Sequence, residues 1–255
     1  MHILLTNDDG LLADGIQYLR QYLAELGQTS MVAPERERSG MGHGITMHKP
    51  LRANKVFFED KSYGWSVSGT PADCVKLALD KLLPTRPDIV ISGINNGLNM
   101  GTDILYSGTV SAALEAIIEK IPAIAVSVEE EATKEDFIYA AQFIKNFLTH
   151  IPRKEFTNQV VLNINIPRIS LGPISGVEIT IQGLKRYGNT IVTRLDPRGK
   201  EYYWLSGELL EIDSKKNTDL AALARRAISI TPLHFDLTNH DFLNKLFPLT
   251  NLFPN

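Results

Sequence analysis

The chain has 255 residues, is 44% hydrophobic and 22% charged, and carries a formal net charge of −3. That length suits one large α/β domain, or a domain with an appendage, and is enough to bury a sizeable core. The weak acidity argues against a nucleic-acid duplex or an anionic membrane as the main partner, because both select basic surfaces.

A single cysteine, Cys74, excludes an intrachain disulfide and a CxxC metal knuckle. No uninterrupted apolar run approaches membrane-spanning length. Asp8 and Asp9 fall where the apolar core of a signal peptide would run. The expectation is a cytoplasmic protein.

The first element is an apolar strand over 3–6 that stops at Asn7-Asp8-Asp9-Gly10. Leu12, Ile16, Leu19, Leu23 and Leu26 then trace one face of a helix, with Gly27 as its stop. A strand over 29–33 ends at Pro34, and a polar loop with several glycines follows over 35–48. Thr70-Pro71-Ala72-Asp73 reads as a helix start, with a capping hydroxyl, a proline at the first helical position and an acid at the positive end of the dipole. The helix is predicted over 72–83, then a strand over 88–92, a long loop over 93–107 and a helix over 110–120. A strand over 123–127, a helix over 137–148 and a strand over 160–164 complete the alternation.

Repeated strand–helix units with unalternated apolar strands predict a mostly parallel sheet covered on both faces, a Rossmann-like three-layer α/β sandwich. After Pro167 the character changes: segments 177–182, 191–194 and 202–204 read as shorter strands, and 241–246 as a short helix. The expected organisation is one domain over 1–255, with a Rossmann-like core over about 1–167 and a β-rich extension with a C-terminal helix over about 168–255.

In open α/β sheets ligands gather at the carboxyl ends of the strands. Three such ends carry unusual loops: Asn7 to Gly10, the loop holding Ser39, Gly40, Gly42 and Gly44, and the loop Ser92 to Asp103. Adjacent carboxylates repel each other and lose hydration when buried, and a hard divalent cation is the usual compensation. Asp8 and Asp9 with the Ser39 hydroxyl and the Asn95 carbonyl form an oxygen-only donor set suited to Mg²⁺ or Mn²⁺. Asp-Gly is also an ordinary turn dipeptide, and Ser107 or Thr109 taken alone is an ordinary helix cap. Taken together, Tyr106-Ser107-Gly108-Thr109-Val110 places free backbone N–H groups at a helix start, where an anion is favoured. A metal site beside an anion cradle points to metal-assisted hydrolysis of a phosphate ester. His43 shares the Ser39 loop and reads as a solvated side chain. There is no GxxxxGK[ST] loop and no GxSxG elbow.

These residues carry a resemblance. The stretches 3–10, Ala33-Pro34 with Ser39-Gly40, 69–75, 92–95 and 106–110, with Asn163-Ile164-Asn165-Ile166-Pro167 and Ile230-Thr231-Pro232-Leu233, are similar to those of the SurE survival-protein family of metal-dependent nucleotidases. The resemblance runs in order over nearly the whole chain. It implies hydrolysis of nucleoside 5'- and 3'-monophosphates, and of short polyphosphate in some members. It places metal ligands on Asp8, Asp9, Ser39 and Asn95, with one divalent cation per subunit. It places phosphate contacts on Asn99, Ser107, Gly108 and Thr109. Asp8 is the candidate to orient or deprotonate the attacking water. The extension implies a homodimer or homotetramer, and Tyr202, Tyr203 and Trp204 on short strands are candidate interface residues. A receiver-like Mg²⁺-binding regulatory module is the alternative. It needs a phosphoacceptor Asp at a later strand end, where this chain has Ser92-Gly93-Ile94-Asn95.

Overall fold

The structure, a computed structural model, describes residues 1–151, 160–188, 191–212 and 215–246. In chain order the elements are β1 (His2–Thr6), α1 (Asp14–Leu23), β2 (Gln28–Pro34), β3 (Ala53–Phe57), β4 (Tyr63–Val67), α2 (Pro71–Leu77), β5 (Ile89–Asn96), α3 (Gly108–Ile118), β6 (Ala123–Val128), α4 (Lys134–His150) and β7 (Val161–Ile166). There follow β8 (Gly176–Ile179), β9 (Lys185–Gly188), β10 (Ile191–Leu195), β11 (Glu201–Leu205), β12 (Glu208–Ile212), α5 (Asp219–Ala224), β13 (Ala227–Leu233) and α6 (His240–Leu246).

Nine strands form one sheet in the order β3-β4-β2-β1-β5-β6-β7-β13-β8. All neighbours are parallel except β3 with β4 and β7 with β13. From β1 the chain moves out to β2 on one side, and β5 then begins the other half. The order therefore reverses between β1 and β5, and a crevice opens at their carboxyl ends.

Alternation along each strand divides the core into two layers. Ile3 and Leu5 pack with Ile16, Leu19 and Leu23 of α1 and Phe137 and Ile144 of α4. Leu4 faces the other way, against Val75 of α2 and Val110 and Ile117 of α3. Each of these aliphatic side chains, fully withdrawn from water, contributes about 1.5–3 kcal/mol. The α1 layer sits very close: a Cβ on Gly15 would come within 2.0 Å of the Ile94 carbonyl oxygen, so only glycine lets the helix lie on β5. The predicted Thr70 cap of α2 is present and is extended to a two-way box by Asp73. Thr70 Oγ1 accepts from the Asp73 N–H at 3.1 Å, and Asp73 Oδ2 accepts from the Thr70 N–H at 2.9 Å. An equivalent box between Thr133 and Asp136 opens α4.

Some elements differ from the sequence expectation. The β3–β4 hairpin over 53–67 was not anticipated. Its pattern is mixed because Lys55 lies over the Tyr63 ring at 4.2 Å, so cation and aromatic share one face. Strand β5 continues beyond Ser92 to Asn96 through a register shift against β6, which places Asn95 on a strand rather than in a loop. Leu12 is 69% exposed because it precedes α1, whereas Ile16, Leu19 and Leu23 are buried. Beyond Pro167, β8 and β13 join the main sheet, β10 pairs with β11, and β9 pairs with β12. Among the described residues no helix is long and apolar enough to cross a membrane.

Candidate metal and phosphate site

The turn after β1 is held by its own side chain. Asn7 Nδ2 donates to the Gly10 carbonyl at 2.9 Å, and the Gly10 N–H returns to Asn7 Oδ1 at 3.1 Å. This Asx-type clasp presents Asp8 and Asp9 at the crevice. Asp8 is only 4% exposed and lies against the start of α3. Thr109 Oγ1 donates to Asp8 Oδ1 at 2.5 Å. Gly108 makes the approach feasible, since a Cβ there would lie 2.8 Å from Asp8 Cβ and 2.9 Å from its Oδ2.

The electrostatics are unfavourable to both acids. Burial raises the Asp8 carboxyl above its ordinary range, and the donors from Thr109 only partly offset this. Burial, then the charges of Asp8 and Glu37, push Asp9 up to about 7, against a backbone N–H donated by Asn96. Glu37 is the third acid of the neighbourhood. The sequence reading passed over it, although its spacing of two residues from Ser39 was a usable signal. Ser39 Oγ donates to Glu37 Oε1 at 2.7 Å.

Ser39 comes to the crevice because the preceding residue is tied there: the Arg38 N–H donates to the Asp8 carbonyl at 2.7 Å. The rest of its loop is pinned to neighbouring elements. The Gly42 N–H bonds the Tyr106 carbonyl at 3.0 Å, and Thr70 Oγ1 donates to the Gly44 carbonyl at 2.7 Å. His43, read from sequence as solvated, meets the buried Glu115 of α3 at 2.8 Å, and Lys76 donates to the other Glu115 oxygen at 2.8 Å. Asn95 Nδ2 donates to the Gly97 carbonyl at 2.7 Å, a bond that does not engage its Oδ1.

The anion cradle takes a more specific form than the sequence suggested. Ser107 caps α3, its Oγ accepting from the Val110 N–H at 3.1 Å. Thr109 is spoken for by Asp8. Asn99 is buried: its Nδ2 donates to Ser127 Oγ at 2.8 Å, and its backbone is clasped by Asn163 and Asn165 of β7. Those two asparagines entered the sequence reading only through the resemblance, and their work here is to fix Asn99.

Among the described residues no three His, Cys, Asp or Glu side chains are arranged to hold an ion. Any cation here must therefore take neutral oxygens beside the two acids. Two crowded carboxylates, with a hydroxyl and an amide oxygen on the segments bonded to Asp8 and Asp9 through Arg38 and Asn96, are a donor chemistry that fits a hard divalent cation. A cavity of about 570 Å³ lies elsewhere, between α1 and the β3–β4 hairpin, lined by Tyr18, Arg20, Met31, Asp60 and Tyr63 among others. Arg20 there is already matched by Asp60 at 2.9 Å.

A doubly wound α/β sheet with paired acids and a helix start at its switch point defines a phosphate-handling α/β protein. The comparisons refine that class. The family model described as survival protein SurE matches residues 3–189. The 5'-nucleotidase SurE of Carboxydothermus hydrogenoformans is 53% identical over 250 residues, covering 96% of this chain and 95% of that protein. The 5'-nucleotidase SurE of Moorella thermoacetica is 52% identical over 247 residues, with 96% and 95% covered. The crystal structure of the SurE protein from Aquifex aeolicus superposes with a TM-score of 0.81 at 38% identity, covering 98% of this chain and all of that one. This chain belongs to the SurE family.

Proposed function

We propose that the chain is a 5'-nucleotidase that hydrolyses nucleoside 5'-monophosphates to nucleoside and phosphate. The observation that carries the reading is the junction of Asp8 with the start of α3, where paired acids and helix N–H groups share one crevice. Similarity over 96% of the chain, at 53% and 52% identity, to proteins named 5'-nucleotidase SurE supports the substrate class. Activity on 3'-monophosphates and short polyphosphate is part of the proposal.

Asp8, Asp9, Ser39 and Asn95 would hold one divalent cation, Mg²⁺ or Mn²⁺. When bound, such a cation acts as a Lewis acid toward a phosphoryl oxygen. The chain's own groups do the remaining work. Asp8 would orient or deprotonate the attacking water. The Gly108 N–H and the Ser107 hydroxyl at the start of α3, with the Asn99 neighbourhood, receive the phosphoryl oxygens and stabilise charge as it develops. Thr109 holds Asp8 in place by its short hydrogen bond. The water oxygen bonds to phosphorus as the ester P–O bond breaks, and the proton that Asp8 takes from the water is returned through solvent to the departing oxygen, so the nucleoside leaves as the alcohol.

We further propose that the whole chain acts as one domain, in the cytoplasm, as a homodimer or homotetramer. The support for self-association is the β10–β11 hairpin, where Leu195, Tyr203, Trp204 and Leu205 are exposed together. Light scattering that gives a monomer at working concentration overturns that part.

The function is tested by phosphate release from a panel of nucleotides with Mg²⁺, Mn²⁺ or chelator. Release from 5'-monophosphates that depends on added metal and collapses in Asp8→Asn is expected. Near-normal kcat in Asp8→Asn, with the fold retained by circular dichroism, refutes the mechanism.

A further inference from the structure

The six residues ahead of the phosphate cradle, Gly101–Tyr106, form a 3₁₀ segment that apolar burial does not hold in place. Only Ile104 is a buried hydrophobic there, while Leu105 and Tyr106 are 58% and 66% exposed. Segments with so little buried apolar surface open readily unless something else fixes them. Here the fixing is polar, and apart from the bond of the Gly42 N–H to the Tyr106 carbonyl it comes from the part of the chain after Pro167.

Asp219, at the start of α5, is fully buried. Its Oδ2 accepts the Gly101 N–H at 2.7 Å, and its Oδ1 accepts the N–H groups of Gly183 and Leu220 at 2.9 and 2.8 Å. One carboxylate thus joins three segments. An ionised carboxylate accepts all three donors, whereas an amide must turn an NH₂ toward one of them. Next along, Thr102 Oγ1 donates to the Lys185 carbonyl at 2.6 Å. Lys185 Nζ donates to Asp103 Oδ2 at 2.6 Å, and Tyr187 OH reaches the same oxygen at 2.9 Å. Lys185 is largely covered, with 14% of its side chain exposed. Burial opposes its charge, but the bonds to Asp103 and Tyr187 outweigh that and hold the ammonium above its ordinary pKa.

We infer that Lys185 and Asp219 are positioning residues: they clamp residues 101–106 so that the turn Ser107-Gly108-Thr109 meets a phosphoryl group in register. The inference rests on the proposed phosphatase reading. It makes strand β9, the root from which the β10–β11 hairpin departs, part of the active-site scaffold. Neither residue touches Asp8 or Asp9, so the clamp acts on the cradle and not on the acids. Misplacing a reacting group by about 1 Å costs on the order of a hundredfold in rate. The loss of one of several clamps should cost about a tenth to all of that factor.

The test compares wild type with Lys185→Met, Lys185→Arg and Asp219→Asn in the full-length protein. Each is assayed on a nucleoside 5'-monophosphate and on p-nitrophenyl phosphate, and for inhibition by inorganic phosphate. Lys185→Met and Asp219→Asn should lower kcat/KM on both substrates by about ten- to a hundredfold. Phosphate inhibition should weaken in parallel, and Lys185→Arg should keep most of the wild-type rate. Mn²⁺ titration of the protein should give the same affinity in every variant. A loss confined to the nucleotide overturns the inference, because it makes Lys185 a contact to the nucleoside. Unchanged rates in both variants overturn it as well. Should Lys185→Met fail to fold, Tyr187→Phe removes one hydroxyl from an exposed side chain and should give the same pattern at about two- to fivefold. A wild type with no phosphate release from any substrate sinks the functional reading along with the clamp. An active wild type with indifferent variants sinks the clamp alone.

Discussion

Replacing Asp9 by Asn should make the metal-free protein more stable while abolishing its activity. Folding moves this carboxyl from an ordinary value of 3.8 to about 7, first through burial and then through the charges of Asp8 and Glu37. A carboxyl whose folded pKa is raised binds its proton more tightly in the native state. The native state therefore loses stability as pH rises from the unfolded pKa through the folded one, and the full penalty is reached above about pH 7. Three pH units at about 1.4 kcal/mol each set a ceiling of about 4 kcal/mol. Asp9 keeps part of its surface in water, so screening reduces the figure to about 2 kcal/mol. Asparagine removes the charge and can still accept the Asn96 N–H. For a chain of this size the gain corresponds to a rise in Tm of about 4–8 °C at pH 8.5. The assay is thermal unfolding of both proteins in chelator from pH 4 to pH 9. The two curves should meet near pH 4 and diverge up to about pH 7, then run parallel. Asp9→Asn melting at or below wild type at pH 8.5 would falsify the claim that Asp9 is held against its own charge. Added Mn²⁺ should erase the difference by stabilising wild type alone.

Two further perturbations probe the scaffold. Gly108→Ala places a methyl 2.8 Å from Asp8 Cβ, so kcat/KM should fall by about a hundredfold and stability by about 1–3 kcal/mol; retention of more than half the wild-type kcat/KM contradicts the packing of Asp8 on α3. Leu19→Ala empties a fully buried position between α1 and the sheet and should cost about 2–5 kcal/mol in urea unfolding, with the m-value preserved.

Much of the fold was legible because its signals are local. Ile3, Leu4 and Leu5 form an unalternated run, and such runs demand cover on both faces. Thr70, Pro71 and Asp73 spell a helix start that the structure reproduces, with a reciprocal bond from the Thr70 N–H to the Asp73 carboxylate that the sequence reading did not include. The β3–β4 hairpin was illegible because Lys55 earns its place by stacking on Tyr63, a relation invisible to a binary pattern. Strand β5 was read too short because Gly93 looks like a stop, whereas pairing with β6 carries the backbone on to Asn96. At the candidate site, residue types and strand ends identified the acids and the helix start. The bonding among them lay beyond reach: that Thr109 serves Asp8, that Asn163 and Asn165 serve Asn99, and that Glu37 presses on Asp9 all depend on contacts between distant segments.

The place of β13 has a consequence for how the molecule is made. This strand is drawn from near the end of the chain, yet it sits inside the sheet, antiparallel to β7 on one flank and parallel to β8 on the other. During synthesis, β7 emerges some sixty residues before its partner, Ala227–Leu233. Until then it presents an apolar edge with open N–H and C=O groups, the kind of surface that recruits strands from other chains. The pairing that seals it spans a long loop and closes late, which slows folding. A nascent or truncated chain ending before Ala227 therefore carries every proposed ligand from Asp8 to Thr109 and still exposes a template for aggregation.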